Sequence, residues 1–259
     1  MESHMDFPVT RNLIERLPEW VDELASILPE PVRVPVDSYG FRWKYPEQSA
    51  EVVQTAKAVR MVSGIRAAIT LADMGFTTEC GTLLRTVSDC ASEIHFLAEG
   101  LLAGGLNAAQ QKFVDQYFVP FPEDPDELAA REREYYVGRK DILSALRRFG
   151  DRFGGGGDDL VKISTFLNKG YDSYVHSSFT SAMELYSGLT KSFMLSGNES
   201  VRSQCVAKVS VAGKLYEVIV ALELMAITRE LEDLRERTRE GRKELDGSEE
   251  QSSAPCAHL

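Results

Sequence analysis

Apolar residues recur at helical spacing along most of this 259-residue chain, and that periodicity limits its fold more than any other feature. The first such stripe steps by four, three, four and three residues and consists of Leu13, Leu17, Trp20, Leu24 and Ile27. Residues with this spacing share one face of an α-helix. Alternation with a period of two, which indicates a strand, is not sustained outside a loop at 31–45. The pattern predicts an all-α protein, a single bundle of six to eight helices with a long C-terminal helix.

The helical pattern divides the chain into three regions. Residues 1–9 start with Met-Glu-Ser-His-Met, which indicates an expression-vector scar and a disordered start. We predict one helical domain over residues 10–245 and a disordered polar tail over 246–259. The final helix ends in a charged extension at 229–245, where six basic and six acidic residues alternate. This extension is predicted to project from the body or to pair with another chain.

The charge balance excludes some classes of function. The chain has 29 basic and 40 acidic residues and a formal net charge of −11. The molecule as a whole therefore repels nucleic acid and anionic membranes, although a local basic patch can bind either. The longest apolar concentration, at 215–227, is interrupted by two glutamates and is shorter than the roughly 20 residues of a membrane span. We expect no membrane partner.

The cysteines show no metal-binding or disulfide pattern. Cys80, Cys90, Cys205 and Cys256 form no C-x-x-C pair and follow no secretory leader. This usage indicates neither a zinc knuckle nor a disulfide framework, and it favours a reducing cytoplasm. The motifs of zinc proteases, α/β-hydrolases and dinucleotide-binding proteins are also absent from the sequence. We expect no cofactor and no metal site.

A polar row on the third predicted helix is the first candidate site. Arg85, Asp89 and Glu93 are spaced four residues apart, so they line up along one side of the helix. Either the row is a solvated face with an intrahelical ion pair, or a second layer of helices covers it and turns it into a buried polar pocket. The degree of coverage distinguishes these two interpretations.

The segment at 171–178, rich in tyrosine and serine, is the second candidate. In it, Asp172 and His176 stand one helical turn apart. If the two side chains face each other, Asp172 fixes the tautomer of His176 and keeps it partly charged, as a general base or an anion contact requires. The alternative is an ordinary hydrogen-bonded histidine. This alternative is favoured more strongly for His95, which lies at the edge of the apolar arc of the third predicted helix.

The most basic region of this acidic chain lies at 131–152. Its candidate phosphate contacts are Arg139, Lys140, Arg147 and Arg148. Surface pairing with acidic residues one helical turn away explains the same composition. Both interpretations remain open at the level of the sequence.

Two of these segments together resemble a known pattern. The stretch GTLLRTVSDCASEIHFL at 81–97 and the stretch YDSYVH at 171–176 are similar to HEPN-like bacterial helical proteins, in which a helix with arginine and acid is followed by a Ser/Tyr-rich helix ending in Val-His. The resemblance covers about residues 50–230. It implies a metal-independent endoribonuclease, or a partner in a toxin–antitoxin or phage-defence system, often as a homodimer.

The chain departs from the catalytic signature of that superfamily. The signature places an arginine a few residues ahead of the histidine, and residues 169–172 ahead of His176 include none. By resemblance, His176 is the pocket histidine and Arg85 supplies the missing charge from a neighbouring helix.

Two hypotheses of different classes follow. In the first, a cytoplasmic protein binds an anionic or RNA ligand in an inter-helix pocket built from Arg85, Asp89, Glu93, Asp172 and His176. If it cleaves RNA, His176 or a nearby acid activates the ribose 2′-hydroxyl and Arg85 stabilises the phosphorane charge. In the second, the protein is a non-catalytic interaction module or scaffold, and its charged C-terminal helix docks a protein partner.

Overall fold

The computed structural model describes residues 7–36, 40–119, 126, 137–152 and 156–248. Within these ranges the chain forms nine helices and two small antiparallel hairpins. The helices are α1 Pro8–Ser26, α2 Ala50–Asp73, α3 Thr77–Leu102, α4 Ala108–Tyr117, α5 Arg139–Arg152, α6 Gly157–Val175, α7 Phe179–Met183, α8 Val201–Thr228 and α9 Glu232–Asp246. The strands are β1 Val32–Val36, β2 Gly40–Lys44, β3 Tyr186–Ser187 and β4 Ser192–Phe193. The mostly helical fold is confirmed, while the hairpins and the number of helices correct the sequence-based prediction.

The main core lies where α2, α3 and α8 pack together and α1 covers them. Helix α8 is apolar on nearly all sides because helices surround it. Its buried apolar side chains include Val211, Leu215, Val218, Ile219, Leu222 and Met225. A second, smaller cluster joins the C-terminal half of α3 to α4 and α5, and it contains Phe96, Leu97, Val114, Ile142 and Ala145. Helix α3 is thus shared by both clusters.

The turn between α2 and α3 is held against the start of α8. The backbone N–H of Asn198 donates to the carbonyl oxygen of Gly75 at 2.7 Å. Gly75 has φ of +80°, and a Cβ at this position would collide with the backbone of Asn198. Only glycine fits such a left-handed turn with so close a neighbour. The contact sets where α8 enters the core.

The prediction of one long, projecting C-terminal helix is wrong. The helix breaks at Glu230, which has φ of +58°, and α9 folds back against α8 and α1. The buried stripe of α9 consists of Leu234, Thr238, Gly241 and Leu245. Its charged side chains pair with the body, since Arg237 bonds Glu19 and Glu23 of α1. The alternating charges of 229–245 therefore serve packing within the chain.

The ends of the fold and the cysteines differ from expectation in detail. Helix α1 starts at Pro8 and Phe7 is buried against Cys205, so the folded part begins ahead of residue 10. Cys80 and Cys90 are free, buried thiols. Cys205 is disulfide-bonded, which corrects the expectation of a chain without disulfides. In the described part of the chain, no helix combines the length and the hydropathy of a membrane span.

Candidate functional site

Three of the five residues of the predicted pocket meet between α3 and α6. Arg85 bonds Asp89 one turn along α3, and its Nε atom donates to Oδ1 of Asp172 on α6 at 2.6 Å. The Arg85 side chain is only 16% exposed. Burial opposes its charge, but the hydrogen bonds with Asp89 and Asp172 outweigh that cost and raise the pKa of Arg85. The row is therefore covered by a neighbouring helix, and its arginine is already neutralised.

A fourth charged residue extends this cluster to α5. One guanidinium nitrogen of Arg139 lies 2.7 Å from Oδ1 of Asp89, and the other donates to the hydroxyl of Ser164 on α6 at 3.4 Å. Two arginines and two aspartates thus connect α3, α5 and α6. We call Arg85, Asp89, Arg139 and Asp172 the ionic cluster. Its contacts hold the outer helices α5 and α6 onto the core helix α3.

The structure does not bring Glu93 and His176 into this cluster. Glu93 forms an ion pair of 2.6 Å with Lys57 on α2. His176 caps the C-terminus of α6, where its backbone N–H donates to the carbonyl of Asp172, and its side chain is exposed. The Asp172 carboxylate faces Arg85, so the proposed carboxylate–imidazole pair is absent from the described residues.

The basic stripe is largely neutralised by acidic partners. Arg147 pairs with Asp158 at 2.8 Å, and Arg148 pairs with Glu99 at 3.0 Å. The arginine lowers the pKa of Glu99, as expected for a carboxylate beside a fixed positive charge. Lys140 is exposed. The remaining basic residues of 131–136 lie outside the described residues.

A cavity of about 410 Å³ opens beside the ionic cluster, between α3, α5, α6 and α8. Its walls are mostly apolar, and its lining residues are Ala91, Ser92, His95, Leu146, Leu160, Ile163, Ser164, Leu167, Gly213, Tyr216, Glu217 and Asp246. Ser164 belongs to the lining and also contacts Arg139 of the ionic cluster. Through Ser164 the ionic cluster adjoins the cavity, and its ion pairs position the two outer helices that form part of the cavity wall.

His95 is the polar group of this cavity that lacks a partner. Its Nε2 atom is buried and makes no hydrogen bond with any part of the chain that the structure describes. The ring stacks on Phe149 with 6.0 Å between centroids and an interplanar angle of 12°. Burial lowers the pKa of His95 to about 4, so the imidazole is neutral at neutral pH. An unsatisfied buried nitrogen of this kind costs about 1–3 kcal/mol.

The carboxylate in the cavity wall is already neutralised. Glu217 accepts a hydrogen bond from Ser88 at 3.1 Å and forms a 2.5 Å ion pair with Lys214, whose side chain is only 2% exposed. The Lys214 ammonium also lies 5.0 Å from the ring centroid of Tyr171. No group of three or more His, Cys, Asp or Glu side chains in the described ranges is arranged to hold a metal ion.

The sequence analysis did not single out the residues of this cavity. It gave His95 less weight than His176 because His95 borders an apolar arc, yet the structure places the apolar arc beside a cavity. The sequence contains one signal for this site, Gly213, which interrupts the most apolar part of α8 and leaves open space where a side chain would stand. Leu160, Ile163 and Leu167 of the opposite wall have the ordinary spacing of a packed helix face.

We predict that Arg85→Gln lowers the free energy of unfolding by about 1–3 kcal/mol, because Asp172 loses its charged partner and Asp89 keeps only Arg139. The matched control is Arg147→Gln, which breaks a single exposed ion pair and is expected to cost less than about 0.5 kcal/mol. Urea unfolding of both variants measures the difference. Equal losses would show that the ionic cluster does not hold α6 in place.

We also predict a pH dependence of stability from His95. Its pKa is about 4 in the fold and 6.5 in the unfolded chain, so the unfolded chain binds the proton more tightly between these values. The contribution of His95 to the free energy of unfolding is therefore fully present above pH 6.5. It falls as the pH drops toward 4, by up to about 1.4 kcal/mol per pH unit. His95→Gln removes this contribution, so unfolding profiles of the two proteins converge at low pH. Parallel profiles would contradict the prediction.

Comparisons of the chain with protein-family models, with curated proteins and with solved structures found no match. The resemblance to HEPN-like proteins therefore remains a prediction that rests on its short motifs.

Proposed function

We propose that this protein binds a small, mainly apolar and uncharged molecule in the cavity between α3, α5, α6 and α8. The observation that carries the proposal is the mostly apolar cavity itself, which His95 helps to line and in which the Nε2 atom of that residue is left without a hydrogen-bond partner in the described residues. A volume of about 410 Å³ lies within the range of about 300–1,000 Å³ that small-molecule sites occupy. Largely apolar walls with one or two polar groups are typical of such sites.

The charges around the cavity indicate the chemistry of the ligand. Asp246 is exposed at the rim, and Glu217 lies in the wall with its charge matched by Lys214. An anionic ligand would meet these carboxylates, and a cation would compete with Lys214 for Glu217. A neutral molecule with one hydrogen-bonding group for His95 meets neither obstacle. The neutral imidazole offers one donor and one acceptor nitrogen, so either kind of ligand group fits.

We predict that Gly213→Leu abolishes binding of an apolar probe without unfolding the protein. The residue lines the cavity, and no atom lies within 4 Å of the position that a Cβ would take. Leucine therefore fills the cavity, and its higher helix propensity raises stability by up to about 1 kcal/mol. The measurement is fluorescence titration with N-phenyl-1-naphthylamine, a neutral aromatic amine with one N–H donor. We expect at least a tenfold loss of affinity, since leucine occupies the space of the probe.

Two further variants make this test specific. Gly170→Leu is the matched control, since Gly170 is an exposed glycine of α6 with open space around it and lies outside the cavity lining. His95→Phe keeps the ring and removes the hydrogen bond, so affinity should fall by about 2- to 10-fold. Probe binding that persists in Gly213→Leu, or that is lost equally in Gly170→Leu, would overturn the proposal.

The metal-independent endoribonuclease remains a prediction from the resemblance. It requires Arg85 and His176 to act on one phosphate, whereas Arg85 is bonded to two aspartates and His176 is exposed at the end of α6. These contacts favour a structural role for the ionic cluster. RNA cleavage in the presence of EDTA that is lost in both Arg85→Ala and His176→Ala would support the nuclease instead.

A second candidate function is self-association through the segment between α6 and α8. Four large apolar side chains of this segment are more than half exposed, and they are Phe179, Leu189, Phe193 and Leu195. Exposed surface of this kind marks interaction sites.

The charges in this segment favour a second copy of the chain as the partner. Between residues 178 and 198 the only charged side chains are Glu184 and Lys191, one of each sign. The segment is therefore neutral within a protein of net charge −11, and two copies can meet there with little repulsion. This surface replaces the charged C-terminal helix as the place where an interaction module would dock.

We predict that the wild-type protein is a dimer and that the double variant Phe179→Ser with Leu189→Ser is a monomer, because the change removes the two most exposed side chains of the segment. Light scattering after size-exclusion chromatography gives both masses. Val59→Ser, which removes an exposed apolar side chain from α2, is the control and should leave the dimer intact. A monomeric wild-type protein would exclude this candidate.

A further inference from the structure

The hairpin of β1 and β2 carries aromatic rings and cations on an exposed surface. The two strands are antiparallel, with Val32 opposite Lys44 and Val36 opposite Gly40. All five residues of β2 are exposed, and the exposed fraction of Trp43 reaches 65%. An isolated two-stranded hairpin gains little stability from rings held in water. The aromatic side chains therefore need an explanation other than packing.

The register of the strands separates the side chains of the hairpin into two faces. Residues directly opposite each other point to the same side, so Phe41 and Trp43 share a face with Arg33, the partner of Trp43. The two rings meet edge to face with 5.8 Å between centroids. The guanidinium carbon of Arg33 lies 3.6 Å from the ring centroid of Phe41. Arg42 and Lys44 alternate with the rings and point to the other face.

Among the described residues, no acidic side chain pairs with the cations of the hairpin. Arg33, Arg42 and Lys44 are exposed and form no ion pair with any described residue. The two strands contain no acidic residue. By contrast, the arginines of α5 pair with Asp89, Glu99 and Asp158. The two strands thus carry three cations and no acid, and this local excess of positive charge on an acidic protein points to an anionic partner.

We propose that the hairpin of β1 and β2 binds single-stranded nucleic acid. Every base has a π-face, so exposed rings such as Phe41 and Trp43 are stacking positions for bases, and neighbouring cations contact phosphates. The two rings lie at alternate positions of one strand, with 5.8 Å between their centroids. This arrangement suits a flexible strand with splayed bases, whereas the bases of a duplex are stacked on one another and cannot reach the rings.

The position of Arg33 distinguishes this partner from an anionic membrane. A hairpin that inserted its aromatic face into a bilayer would carry the guanidinium of Arg33 into the apolar layer at a cost of several kcal/mol. On a nucleic acid strand the same guanidinium stacks and bonds phosphate at no such cost. This surface is separate from the cavity, so the inference does not depend on the proposed function.

The test uses the two tryptophans of the full-length chain. Trp20 is buried and Trp43 is exposed, so base stacking on the hairpin quenches only Trp43. Short oligouridine and oligothymidine strands are titrated at low salt, and the anisotropy of a dye on the strand gives the affinity. We expect quenching with both strands. With about three phosphate contacts, the logarithm of the affinity should fall against the logarithm of salt concentration with a slope of about −2.

Variants separate stacking from charge. Trp43→Leu should weaken binding by about tenfold, the loss of one stacked base. Arg42→Gln combined with Lys44→Gln should reduce the slope to about −0.7. Phe166→Leu and Lys169→Gln remove an exposed ring and an exposed cation of α6, and both should bind as the wild-type protein does. All five substituted residues are exposed, so folding is not at risk.

Four results would overturn the proposal. The first is no binding of either strand at low salt. The second is unchanged affinity in Trp43→Leu. The third is equal binding of a duplex of the same length, which indicates charge alone. The fourth is a blue shift of Trp43 with phosphatidylserine vesicles in the absence of any effect of the strands, which indicates a membrane.

Discussion

The packing of α3 against its neighbours on two sides is the interaction on which the rest of the structure depends. One side of α3 buries apolar residues against α2 and α8. Because α3 is long, it also reaches the smaller cluster with α4 and α5. The other side carries Arg85 and Asp89, which hold α6 and α5 through charge. Apolar contact alone leaves α6 weakly held, since the buried residues of that helix are only Gly157 and Asn168. The ionic cluster therefore supplies the attachment that burial does not.

A buried lysine shows why the cavity tolerates a carboxylate in its wall. Lys214 is almost fully buried between α3 and α8, where an isolated charge would cost several kcal/mol. Glu217 one turn later pairs with it, and Ser88 of α3 contacts both. Because these groups satisfy one another, Glu217 leaves little field in the cavity. His95 differs from these groups, because its buried Nε2 atom has no hydrogen-bond partner in the described residues.

Charge in this protein is distributed by tertiary contacts as much as by sequence. The arginines of α5 and α9 face acids on neighbouring helices, so the most basic stretches of the chain present little net charge. The two strands of the hairpin at 32–44 contain no acidic residue, so the positive charge of their side chains is not neutralised within the strands. Apolar exposure is likewise concentrated in one segment, before α8. An anionic partner and an apolar partner would therefore contact different parts of the surface.

The sequence by itself determined the helical class, the buried stripes of α1, α2, α3 and α8, and the charged row that includes Arg85, because these follow from spacing within one helix. Tertiary structure alone decided that Asp172 faces Arg85 instead of His176, that Arg139 joins them, and that α9 folds back. Each of these depends on which helix faces which, and single-sequence periodicity contains no such information. The cavity beside His95 also depends on tertiary structure, because its empty space is set by the distances between four helices.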